Sequence, residues 1–512
     1  MFRLAISEGS ASTAGKITNL MLLAAVVVLS ACTPASPTAA PTIQAVIPAA
    51  THAPSVPPAI TNTRVPTPSE TTEPSPTATS AATPTAPPPT ATPLPKIHAS
   101  CYPDASAPLE DLVTPRGPEH LFDPSCQVSG GVGEITVTWD IDGDGIPESE
   151  ELDPPPLALQ PGEYNPLLTF ADEAGQVLRV ELPRIVKVGE PRYPTWRYGV
   201  HLDYQGGNIA WDRNSLGAVE EQVRLFSAIG IQGVRLDFSW DSLEPADGSY
   251  DFGIHDQAAR VIRAAGMDIL GIIAYTPGWA SPSTDSPWNG MPTDLKDFAD
   301  FVLELTSHYR GQVDNWMIWV EPNCSQSFRS TDPYQYTQLL KSGYVAAKYG
   351  NPGSTIILGG LANDESQYIS EFRFYPPEGF LQAVYDEGGG DYFDAVGGHP
   401  YTHPMYQGYD LMVRRILSIR DVMNSNGDQS KPLYLDEANY GLISDVTEEI
   451  QAQWLYEIFR ASRQTDVPLV VVYNGRDYGS ATTFFETAGL LRKDGSTKPI
   501  YHSYADIISQ GF

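Results

Sequence analysis

Trp316-Met317-Ile318-Trp319-Val320-Glu321-Pro322-Asn323 decides how this chain is read. Four apolar residues read as a short buried strand, a carboxylate stands at its C-terminal tip, and Pro322 stops further pairing. A carboxylate in that position is where parallel barrels keep their chemistry. The stretch Leu433-Tyr434-Leu435-Asp436-Glu437 has the same form 116 residues later (437 − 321), so only a barrel brings the two glutamates together. Two glutamates at two strand tips of one barrel are the minimum equipment for cutting a glycosidic bond.

Working outward, six further short apolar runs join these two: 199–202, 233–238, 269–273, 355–360, 395–398 and 469–473. Amphipathic stretches separate them, around 216–229, 257–265, 295–309, 334–349, 379–387, 409–423 and 448–463, with a last one at 501–508. Eight such β-α units predict an α/β chain whose residues 191–512 form a (β/α)8 TIM barrel. A doubly wound open sheet is the alternative, but no Gly-rich phosphate loop follows the first strand.

The N-terminal end reads as a processing segment. Arg3 and Lys16 precede an apolar run, residues 20–29, that is too short for a permanent span. Leu29-Ser30-Ala31-Cys32 resembles a bacterial lipobox. That resemblance implies a signal peptide over 1–32, lipidation of Cys32, and a protein anchored outside the cytoplasm that meets the membrane only through its lipid. Residues 33–96 are almost wholly Pro, Thr, Ala and Ser, which predicts a disordered stalk. A net charge of −31 argues against nucleic acid or an anionic membrane as partner and suits a neutral substrate. Cys101 and Cys126 lie close together in this exported region and are expected to form a disulfide, leaving Cys324 as a buried thiol.

Residues 97–190 alternate in the manner of half-buried strands, as in Ile135-Thr136-Val137-Thr138-Trp139, and predict a small β-sandwich. Thr138-Trp139-Asp140 resembles the tryptophan-aspartate segment of polycystic-kidney-disease-type immunoglobulin-like domains. Asp140, Asp142, Asp144, Gly145 and Glu151 fall on a calcium-loop pattern, with the carbonyl of Ile146 as the backbone ligand. The expectation is a structural calcium ion.

The large domain itself resembles clan A glycoside hydrolases, most closely family 39, the β-xylosidase group. The motifs that carry this are Gly233-Val234-Arg235-Leu236-Asp237, Trp240, Leu243-Glu244-Pro245 and Gly248-Ser249-Tyr250-Asp251-Phe252. Tyr275-Thr276-Pro277-Gly278-Trp279-Ala280, His399-Pro400-Tyr401 and Gly489-Leu490-Leu491 come after them in the same order. The resemblance implies a retaining β-glycosidase with no catalytic cofactor, Glu321 as acid/base and Glu437 as nucleophile. Carboxyl groups in retaining enzymes lie about 5–5.5 Å apart. One must stay protonated and the other ionised, and Arg235 is placed to hold the second ionised. Substrate contacts are expected from Arg235, Trp240, Trp279, Asn323, His399, Tyr401, Tyr440 and Tyr473. One departure stands out: the clan carries Asn directly before the acid/base glutamate, where this chain has Val320. Asn323, Asn439 and Asn474 are candidates to replace its amide. The rival reading is a carbohydrate-binding surface protein or adhesin that has lost turnover.

Overall fold

The computed structural model describes residues 92–202, 215–283, 286–363, 372–443, 445–478 and 485–512. The expectations for the signal segment, for Cys32 and for nearly all of the stalk lie outside them.

Eight parallel strands close into a barrel: β1 (Tyr198–His201), β2 (Gly233–Ser239), β3 (Asp268–Ala274), β4 (Asn315–Ile318), β5 (Thr355–Ala362), β6 (Ala395–His399), β7 (Leu433–Ala438) and β8 (Val470–Val472). Each pairs with the next, and β8 returns to β1 through Val470↔Tyr198 and Val472↔Val200. These runs are apolar on both faces because helices cover the outside while side chains fill the inside. Leu270, Met317, Ile357, Ala395, Tyr434 and Val471 form the inner plug, together with Trp196 and Leu469. Outside, helices such as Leu295–His308 and Pro333–Gly350 present buried stripes (Phe298, Phe301, Val302 and Leu305 on the first) to the barrel wall. Asp294 and Asp332 cap those two helices, each accepting from a backbone N–H two residues on.

Pairing departs from regularity in two places near the barrel's C-terminal mouth. Register shifts between Leu358 and Leu361 in β5, and between Leu435 and Ala438 in β7. Such irregularities re-aim side chains near the strand tips.

Ahead of the barrel, the residues expected as a sandwich form three small sheets. His98–Tyr102 pairs with Ser125–Ser129; Ile135–Asp140, Leu167–Asp172 and Val177–Glu181 form an antiparallel trio; Val113–Thr114, Ile185–Lys187 and Gly162–Tyr164 form the third. Cys101 faces Cys126 directly across the first sheet, and the two are disulfide-bonded. Trp139, Leu168, Phe170 and Ile185 are fully buried at the centre. The calcium-loop expectation is corrected in its ligand set. Asp140, Asp142 and Glu148 bring carboxylate oxygens within 4.8 Å of one another, and Glu151 is not among them. The cause is the chain's return as a hairpin rather than a helix: Trp139 N–H donates to Ser149 O and Glu148 N–H to Trp139 O. That folds Glu148 back over the loop and carries Glu151 past it, its carbonyl accepting the Trp139 indole N–H at 2.8 Å. Asp144 instead accepts from the Ile146 N–H, and the Ile146 side chain is exposed.

These sheets and the barrel belong to one compact unit, Pro89–Phe512. Arg116 reaches from the sheets to Asp394 at the start of β6 (2.6 Å), and Arg310 of the barrel reaches Glu163 (2.6 Å).

Candidate active site

Glu321 lies three residues past the end of β4, and its backbone is unusual. Trp319 and Glu321 have φ of 69° and 45°, the left-handed region that side-chain-bearing residues rarely enter. The conformation is held from several sides. Trp319 N–H donates to Ile273 O (2.9 Å), Glu321 N–H to Gly360 O (3.0 Å), and the Trp319 indole to Ser327 O (2.9 Å). The Tyr336 hydroxyl donates to Ile318 O and accepts from the Gly359 N–H, tying β4 to β5. Glu437 lies in the irregular stretch of β7, so that it and its neighbour Asp436 both meet Arg235.

The result is a layered cluster. Arg235 Nη1 donates to Glu437 Oε1 at 2.6 Å, and its Nε stands 3.5 Å from Asp436 Oδ2. His399 bridges the two strand tips, with Nδ1 2.8 Å from Glu321 Oε1 and Nε2 2.9 Å from Asp436 Oδ2. The Tyr401 hydroxyl donates to Glu437 Oε2 at 2.9 Å. One oxygen of Glu321, one of Glu437 and a ring nitrogen of His399 all lie within 4.8 Å of one another. The Glu321 and Glu437 side chains are 16% and 9% exposed, whereas those of His399 and Asp436 are sealed beneath them. Close approach requires glycine at two places. A Cβ on Gly360 would stand 2.0 Å from His399 Nε2, and one on Gly397 2.5 Å from Asp436 Oδ1.

Electrostatics differ sharply within this layer. Burial pushes the Glu437 carboxyl up, but His399 and Arg235 outweigh it and hold the group below the usual carboxylate range. Burial opposes charge on His399 too, yet Glu437, Asp436 and its hydrogen bonds raise the ring to about 10. His201 shows the opposite balance: burial and then Arg235 depress it to about 3. It is therefore neutral, and its Nδ1 accepts from Arg235 Nη1 at 3.2 Å. Burial, then Glu437, raises the Tyr401 hydroxyl well above its ordinary value, so it remains a donor.

The structure gathers Glu321, Glu437, Arg235, His399 and Tyr401 into this cluster, and Tyr473 joins at its edge by stacking on His201 (5.1 Å). Four expected substrate contacts are corrected. Arg235 and His399, 1% and 0% exposed, lie under the carboxylates and offer no face to a ligand. Trp240 starts the turn after β2 and points outward, stacked on Phe301 with its indole N–H on Glu244. Asn323 is wholly spent on backbone: it donates to Ala362 O and Tyr375 O and accepts from Ala362 N–H. It cannot replace an amide at Val320, which is itself buried in the main apolar core. Asn439 is likewise committed to Ala488 O, and Asn474 is fully buried. Trp279 is half-buried with its indole N–H on Glu244 O, and Tyr440 is buried against His403. Two residues that the sequence did not single out, Asp436 and His201, complete the cluster. The signal for Asp436 was a charge inside an otherwise apolar strand, directly before Glu437.

Comparison with known proteins fits this geometry. A beta-galactosidase family model matches residues 209–283. Over 173 residues the chain is 27% identical to the beta-galactosidase BbgII of Bifidobacterium bifidum, covering 29% of this chain and 24% of that protein. Over 125 residues it is 29% identical to an endo-1,4-beta-xylanase of Agaricus bisporus, covering 23% of this chain and 37% of that one. The chain thus spans well under two thirds of either relative. Among solved structures, a family 39 glycoside hydrolase from Bacteroides cellulosilyticus WH2 superposes with a TM-score of 0.51 at 24% identity, over 74% of this chain and 78% of that one. The fold is that of a TIM barrel, and the barrel is glycoside-hydrolase-like.

Proposed function

We propose that this chain is a retaining β-glycosidase acting on oligo- or polysaccharides, with Glu437 as nucleophile and Glu321 as acid/base. The observation that carries this is the pair of partly exposed carboxylates within 4.8 Å, set in unequal surroundings. Nearest oxygens that close favour the retaining separation of about 5–5.5 Å over the wider gap of an inverting pair. Arg235 and the Tyr401 hydroxyl converge on Glu437, which keeps an oxygen lone pair available for attack at the anomeric carbon. Glu321 gives its proton to the leaving oxygen as that bond breaks, then takes a proton from water in the second step. Trp279 and Tyr473 are left partly exposed, and we assign them to the sugar faces.

Catalysis by two carboxylates calls for no cofactor. We assign a structural calcium to Asp140, Asp142 and Glu148, whose donor set of hard oxygens suits it. We also infer export and lipid anchoring at Cys32, on the strength of the apolar run and the motif at 29–32.

The test is a panel of aryl β-glycosides and β-linked polysaccharides, with product anomers followed by NMR and Glu437→Ala in parallel. Products of retained configuration, lost in the variant, are expected. Sugar binding with no turnover on any substrate would overturn the assignment in favour of a binding protein.

A further inference from the structure

Beneath the two glutamates runs a line of side chains that the two-carboxylate mechanism does not itself require. Asp436 Oδ2 contacts His399 Nε2 at 2.9 Å, and His399 Nδ1 contacts Glu321 Oε1 at 2.8 Å; Glu437 Oε2 is farther from the same nitrogen, at 3.7 Å. Both His399 and Asp436 are fully buried, so neither reaches a ligand. Gly360 and Gly397 are shaped around them, and Asp436 Oδ1 has no hydrogen bond among the described residues. A buried carboxylate with a bare oxygen is costly for the fold alone.

We propose that His399, tethered by Asp436, is the positioning residue of Glu321: its Nδ1–H holds Oε1, leaves Oε2 to carry the donated proton, and steadies the anion that remains. The inference rests on the glycosidase reading. Five charged groups face one another here, Glu321 from the β4 tip, Asp436 and Glu437 from β7, Arg235 from β2 and His399 from β6, with neutral His201 from β1 and the Tyr401 hydroxyl beside them. With Glu321 protonated, two cations balance two anions. In the first step the Glu321 O–H bond breaks and its proton joins the leaving oxygen. The glycosidic bonding pair departs on that oxygen, and a lone pair of Glu437 forms the new bond to carbon. The cluster's net charge is unchanged: the negative charge that Glu437 loses on forming the ester reappears on Glu321, against the His399 N–H. His399 keeps its own protons throughout, consistent with a ring raised to about 10.

Asp436→Asn and His399→Asn keep shape and remove the charge of the clamp. Each is measured against wild type on a dinitrophenyl β-glycoside, whose leaving group needs no proton, and on an unactivated alkyl or sugar β-glycoside. We expect kcat on the unactivated substrate to fall about 10²–10³-fold, while the dinitrophenyl substrate changes about tenfold or less. The alkaline limb of kcat/KM should move to higher pH in His399→Asn, which removes the cation beside Glu321. Equal losses on both substrates, or an unmoved limb, would reduce the pair to scaffolding and overturn the proposal. A second measurement needs no variant. In wild-type protein carrying ¹⁵N-histidine, both His399 ring nitrogens should be protonated at about pH 8, where a free imidazole is neutral. A singly protonated ring at that pH would overturn the clamp even if every substrate failed, which separates its failure from that of the glycosidase reading.

Discussion

Strand β6 carries a buried charge cluster at each end, and the two are built to opposite rules. At its start, Asp394 accepts from Arg116 Nη2 (2.6 Å), Lys348 Nζ (2.8 Å) and the Ile356 N–H (2.8 Å), while its carbonyl accepts from the Tyr193 hydroxyl. Lys348 is also bonded to Ser354 O. Both carboxylate oxygens are covered by donors, and Lys348 and Asp394 are 0% and 1% exposed. At the far end, His399 sits among three carboxylates that outnumber the two cations, and Asp436 Oδ1 and Arg235 Nη2 lack hydrogen bonds among the described residues. A closed network specifies the fold, here by fixing the small sheets to the barrel's N-terminal face. An open one at the C-terminal face leaves charge at the barrel mouth, as the proposed glycosidase reading requires.

The sharpest way to break this contrast is Glu437→Ala. Removing the proposed nucleophile should lower kcat by at least about 10⁴-fold, and should cost less stability than the Asp394 change because Arg235 keeps Asp436 at 3.5 Å; measurable turnover with retained anomers would show that the far end is not where the reaction occurs. Asp394→Ala should do the reverse. It leaves Lys348 buried without its partner and should cost about 3–5 kcal/mol of stability in denaturant titration, with kcat per folded molecule unchanged. Cys101→Ser with Cys126→Ser extends the same test into the sheets. Opening a loop closed over a sequence separation of 25 should cost about 2–4 kcal/mol, seen as a lower midpoint and not as slower turnover.

The last test is graded with pH. His399 binds its proton more tightly folded than unfolded, so its stabilising contribution is full below about pH 6.5 and is lost as pH rises toward 10. Between these limits wild-type stability should decline by about 1 kcal/mol per pH unit relative to His399→Asn, read from urea midpoints across an alkaline series. His201 works in the other direction. Its depressed value means that its contribution is present above about pH 6.5 and lost as pH falls toward 3. Parallel pH curves for wild type and the His399 variant would show that the buried imidazole carries no charge.

Much of the fold was legible in the chain itself. The run 316–319 and its seven counterparts announced strands by length and apolar character, and the observed β4 differs from that reading by one residue. Glu321 and Glu437 were legible as strand-tip carboxylates because a charge ending a buried strand is costly unless it faces the open mouth of the barrel. His399 and Arg235 were legible as members of the site but not as its floor. Their depth depends on register shifts in β5 and β7, which arise from three-dimensional closure and leave no local pattern. Trp240 was misplaced for a related reason. A residue just past a strand end can turn into the mouth or out against a helix, and the stacking on Phe301 that settles this lies 61 residues away (301 − 240). Glu148 displaced Glu151 because backbone pairing across Trp139, absent from any spacing rule, set where the loop returned.

Local hydrophobic period and strand-end chemistry therefore determined the element order, the barrel and the two glutamates, since these depend on short-range alternation and burial alone. Only the tertiary structure decided which charges face one another. Coulomb energies depend on distances of a few ångströms between residues far apart in the chain, and the closure of β1 on β8 is what sets those distances here.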